Sequence, residues 1–198
     1  MASIPRFDGN YRRDILIPLV QAKPELAGDR RQSVRIVGPF PLYIGKPHRL
    51  VSARQIHHAA RLAGWRALVL QQEQPVAVVD FGIGATGHSF HAIHGEGAAK
   101  ALSAALEQMY LLTTRSGWTN ARHAIRMLEL PSLALSVIWK AGRPSRFIRI
   151  APTEACIDSC AQPMTIGNWR SHLKKHLSRP RKVSPKRDRV ANRRRKSQ

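Results

Sequence analysis

Acidic side chains are scarce in this chain. Twelve Asp and Glu stand against 33 Lys and Arg over 198 residues, a formal net charge of +21 with the histidines neutral. Carboxylates this few and this scattered supply no paired general acid and base, and neither a Ser-His-Asp order nor a P-loop occurs. Cysteine is nearly absent: Cys156 and Cys160 are too few for a disulfide framework and fit a reducing setting. No apolar run approaches the roughly 18 residues that span a bilayer, and Met1 to Arg13 lacks the charged-then-apolar order of a signal peptide. The expectation is a cytoplasmic protein, and a neutral housekeeping enzyme is set aside.

Positive charge is what the chain has in quantity, and it is unevenly placed. From Arg170 to Gln198 there are 13 Lys or Arg and a single acidic residue, Asp188. Lys174 and Lys175, then Arg179, Arg181 and Lys182, then Lys186 and Arg187, then Arg193, Arg194, Arg195 and Lys196 form four clusters. Within residues 178–198 the apolar side chains are Val183, Val190 and Ala191, too little surface to offset the entropy of ordering the segment. This stretch reads as a disordered basic tail. Each phosphate it neutralised would release condensed counterions, giving affinity without sequence specificity.

With 43% hydrophobic residues, the rest of the chain has enough apolar side chain for a core. Residues 1–150 read as one α+β domain, its first 50 residues the hardest to parse, and 151–177 as a connecting segment ending in a basic helix. Ser52, Gln55 and Gly64 bracket a helix over residues 52–63 by capping and stop signals. Arg66–Gln71 and Val76–Phe81 are β-rich runs forming a hairpin, with His88–Ile93 a third strand. Ala99, Leu102, Ala105, Leu106, Met109 and Tyr110 recur at helical spacing and mark a helix over 96–112. Ile125–Leu130, Leu133–Lys140 and Arg146–Ile150 follow as strands, and Ser33–Val37 with Leu42–Ile44 suggests an irregular hairpin. This order implies a largely antiparallel sheet with two main helices.

One local pattern points to a metal. Cys156, Cys160, His172 and His176 are spaced so that two thiolates and two imidazoles one helical turn apart would surround a tetrahedral zinc ion. Over about 21 residues this resembles a C2H2 zinc finger. Trp169 stands near that motif's core leucine and Met164 near its aromatic. Asn168 is placed to cap the helix, and the segment's own apolar content is small for folding without metal. The alternative is a pair of small thiols followed by a basic amphipathic helix whose histidines lie on its polar side, with no cofactor.

Two further patterns involve histidine and glycine. His88, His91 and His94 with Glu96 would suit a small nuclease or toxin, although residues three apart on a strand face opposite sides. Gly82, Gly84 and Gly87 match the dinucleotide fingerprint in spacing, but a strand rather than a helix follows them. The expected function is therefore that of a nucleic-acid-associated accessory protein. DNA or RNA is held by the arm, and the domain gives specificity or contacts a protein partner. A nuclease using residues 88–94 is the rival reading. A protein-interaction or effector module whose basic tail is a targeting signal is the third. The same tail fits a nucleoid-associated protein, or nuclear import within a eukaryotic host.

Overall fold

Strand pairing in this chain is built outward from a tight hairpin. Gln71 and Gln74 pair across a turn in which Gln72 and Glu73 both take positive φ, 50° and 63°, the conformation that matches the right-handed twist of the strands it joins. The computed structural model describes residues 15, 17–24, 34–84, 87–114, 125–141, 144–150 and 162–178. Its elements are α1 (Ile17–Ala22), β1 (Val34–Gly45), α2 (Pro47–Ser52), α3 (Ile56–Ala59), β2 (Ala60–Gln71), β3 (Gln74–Gly84) and β4 (Gly87–His94). There follow α4 (Glu96–Thr114), β5 (Ile125–Leu130), a 3-10 turn (Pro131–Leu133), β6 (Leu135–Lys140), β7 (Arg146–Arg149), β8 (Met164–Thr165) and α5 (Ile166–Ser178).

The eight strands form one sheet in the order β4-β3-β2-β1-β5-β6-β7-β8. Every neighbouring pair is antiparallel except β1 and β5, where Leu42, Tyr43 and Ile44 lie beside Met127, Leu128 and Glu129 in parallel. Two antiparallel meanders are thus joined at the centre, and the connection between the parallel strands β1 and β5 runs through β2, β3, β4 and α4. The fold is α+β with a largely antiparallel sheet, and its two main helices are α4 and α5.

Alternation along the strands feeds both faces. Leu68, Leu70, Met127, Ile138 and Ile148 pack beneath Ala99, Leu102, Ala105 and Met109 of α4, at the spacing read from the sequence. On the opposite face Leu128, Val137, Trp139 and Phe147 pack against Leu50 of α2, Ile56 of α3, and Trp169 and Leu173 of α5. Further along that face Trp65, Ala67, Val69, Val79 and Phe81 are covered by Ile15 and by Leu19 of α1. No helix among the described residues is long and apolar enough to cross a membrane.

Two local expectations are corrected. Residues 52–63 are not one helix: α2 ends at Ser52, α3 is a single turn, and Arg61, Leu62 and Ala63 extend β2. Tyr43, Ile44 and Gly45 of β1 pair with Leu62, Arg61 and Ala60, so tertiary pairing overrides the local capping signals. Nor do Ser33–Val37 and Leu42–Ile44 make a hairpin. Residues 34–37 and 42–44 both lie in β1, which absorbs Gly38 and Pro39 as a register shift between Val37 and Phe40 against β2.

Candidate nucleic-acid interface

The basic helix carries an apolar stripe. Ile166, Trp169 and Leu173 recur at three- and four-residue intervals, and Trp169 and Leu173 are fully buried. Trp169 stacks on Phe147 at 4.6 Å between centroids and 10° between planes, and Phe147 stacks in turn on Trp139 at 6.3 Å. The cap is Thr165, not Asn168. The Asn168 backbone N–H donates to Thr165 Oγ1 at 3.3 Å, one residue before the helix begins. Arg170 donates to the Ala53 carbonyl oxygen and ties α5 to the end of α2. Packing against the sheet therefore supplies the apolar support that the segment lacks by itself.

Lys174 and Lys175, expected to contact phosphate, are exposed on this anchored helix. Lys175 and His176 lie in its last turn, where cations complement the helix dipole. The remaining tail residues assigned to phosphate contact, Arg179, Arg181, Lys182, Lys186, Arg187, Arg193, Arg194, Arg195 and Lys196, lie outside the described residues.

His172 and His176 do come together. Their Nε2 atoms are 3.0 Å apart, one turn apart on the helix. At that distance one ring donates N–H to the other's lone pair, and with both rings neutral the pair could instead turn two nitrogens to a divalent ion. Cys156 and Cys160 lie outside the described residues, and among those described no three His, Cys, Asp or Glu side chains group as a metal site.

The histidines of the rival nuclease reading have separate partners. His91 Nε2 meets Ser89 Oγ at 3.2 Å and its ring lies over Gly82, while His94 Nε2 meets Asp80 Oδ2 at 2.9 Å. Glu96 bonds Lys100 at 3.1 Å one turn along α4. The side chain of His88 lies outside the described residues. Gly82 and Gly84 end β3 and Gly87 starts β4, so no helix follows the glycine pattern.

The sequence reading missed two buried arginines. Arg66 in β2 is held by both oxygens of Asp80, with Nε to Oδ1 at 2.6 Å and Nη2 to Oδ2 at 2.7 Å, while Nη1 meets Glu129 Oε1 at 2.7 Å. Burial alone would raise the Asp80 pKa, but the hydrogen bonds and charge of Arg66, joined by His94, hold it below the usual carboxylate value. Of this quartet, Arg66, His94 and Glu129 line a cleft of about 320 Å³ walled by Ala98, Ala101 and Leu102 of α4. Arg126 lies on the other face, 5% exposed, with its guanidinium carbon 4.9 Å from the Trp139 ring centre and 5.6 Å from that of Tyr43. Its Nε has no hydrogen-bond partner among the described residues. Arg66 and Arg126 alternate with apolar residues in strands, a pattern equally typical of solvent-facing positions, so periodicity alone hid them.

No protein-family model matches the chain, and neither the curated proteins nor the solved structures yield a match.

Proposed function

We propose that this chain is a nucleic-acid-associated accessory protein that grips the phosphate backbone of DNA or RNA through its basic C-terminal arm. The observation that carries this reading is the charge of the last 29 residues, 13 Lys or Arg against one Asp. Solubility alone calls for nothing so one-sided. The placement of Lys174 and Lys175 supports it: both are exposed on a helix whose opposite side is fixed to the sheet by Trp169 and Leu173. A polycation rooted in an anchored helix holds nucleic acid close to the domain, which leaves the domain to supply specificity or a protein contact.

The test is incubation of the purified full chain with plasmid and with RNA, with and without magnesium or zinc. Both nucleic acids should be retarded and remain intact. Cleavage would establish the nuclease reading in its place, and the absence of retardation at low salt would remove nucleic acid as the partner.

A further inference from the structure

The two faces of the sheet differ in charge. Residues 46–63, which form α2, α3 and the start of β2, and residues 162–178, which form β8 and α5, together hold seven Lys or Arg, five His and no Asp or Glu. The acidic side chains among the described residues lie elsewhere. Asp80 and Glu129 are bound to Arg66 on the α4 side, Glu96 and Glu107 are on α4 itself, and Glu73 is in the β2-β3 turn. The helices of this face form one layer. Leu50, Ile56, Trp169 and Leu173 share a single apolar cluster, and Arg170 bonds the Ala53 carbonyl between α2 and α3. Lys46, Arg49, Arg54, Lys174 and Lys175 are exposed on this layer. Beneath it lies Arg126, a nearly fully buried guanidinium whose contacts among the described residues are the rings of Tyr43 and Trp139. Its field reaches His57, whose pKa is lowered first by burial and then by the charges of His58 and Arg126.

A guanidinium buried beneath a layer of exposed cations adds to the positive field of this face, and an anion laid over the surface would offset it. We infer that α2, α3 and α5 form a second, structured phosphate-binding surface, continuous with the arm proposed above and resting on that reading. Its ligand is a nucleic-acid backbone. A lipid-docking surface presents aromatic and aliphatic anchors beside its cations, whereas here the aromatic residues are buried and Leu177 is the exposed large apolar side chain of α5.

The experiment uses the full chain and a fluorescein-labelled duplex of mixed sequence, with affinity measured across a salt series. The face variant combines Lys46→Gln, Arg49→Gln and Arg54→Gln, all at exposed positions outside the last 29 residues. A second variant replaces the Lys and Arg of 179–196 by Gln, and a control combines Arg35→Gln with Lys100→Gln, away from this face. The face variant should bind at least about tenfold more weakly and lower the slope of log K against log salt by about 0.9 for each phosphate no longer neutralised, with the control unchanged. If the face variant binds like the parent while the tail variant loses affinity, the surface is overturned and the arm reading stands. If no duplex or RNA is bound while phosphatidylserine vesicles are, the arm reading falls and this surface falls with it.

Discussion

Trp169 lies flat against Phe147, their ring centroids 4.6 Å apart and their planes 10° from parallel. This stack joins α5 to β7, and the indole is fully buried. Replacing Trp169 by Ala removes the largest fully buried side chain among the described residues and should cost about 3–5 kcal/mol, read as a shift in the urea midpoint. A loss under about 1 kcal/mol would show that α5 is held by something other than this stack.

The same anchorage bears on the zinc pattern. With Trp169 and Leu173 supplying the hold on α5, chelation by EDTA should leave the thermal midpoint unchanged, and Cys160→Ser should cost little. One equivalent of zinc released together with a fall of more than about 4 °C would instead make the metal a structural requirement.

Acid should destabilise the domain through Asp80. Its carboxyl is held below 3.8 in the folded protein by Arg66 and His94, against the opposing effect of burial. The unfolded chain therefore binds the proton first as pH falls. This contribution is fully present above pH 3.8 and is lost as pH drops through the lower folded value. In Asp80→Asn that component of the acid transition should disappear. At neutral pH the variant should lose about 3–5 kcal/mol, because Arg66 is left buried with half its partners. Unchanged urea unfolding of Asp80→Asn at neutral pH would contradict this account of the quartet.

Two glycines separate close backbone approach from mere proximity. A Cβ at Gly64 would stand 1.9 Å from the Phe81 carbonyl oxygen, so Gly64→Ala must push β2 away from β3 and should cost about 2–4 kcal/mol. A Cβ at Gly82 would stand 1.8 Å from His91 Nε2, the tip of an exposed ring that can swing aside, and Gly82→Ala should cost less than about 1 kcal/mol. Equal melting temperatures for the two variants would overturn the distinction.

Gly64 also shows where sequence reading succeeds and where it stops. Its position after Ser52 and Gln55 resembles a helix stop, yet the residue is required by the approach of a neighbouring strand that lies 17 residues on in sequence at Phe81. Patterns that are complete within one element were legible. The α4 stripe shows its burial in its own periodicity, and β3, β5 and β6 stand out as β-rich runs bounded by turn signals. Features that depend on distant partners were not. The β1-β5 parallel junction, the Arg66 quartet drawn from β2, β3, β4 and β5, and the cage around Arg126 each join segments whose local sequence says nothing of the other. The basic helix was legible as a cationic stretch. Its acid-free neighbours in α2 and α3 became part of the same surface only once the fold brought them together.

The most direct test of the central claim is the salt dependence of nucleic-acid binding by the full chain, set beside that of the chain whose cations at 179–196 are replaced by Gln. The account predicts tight binding at low salt with a steep negative slope of log K against log salt. In the variant that slope should shrink by several units, at about 0.9 for each phosphate left unneutralised. An identical affinity and slope for the two proteins would contradict it.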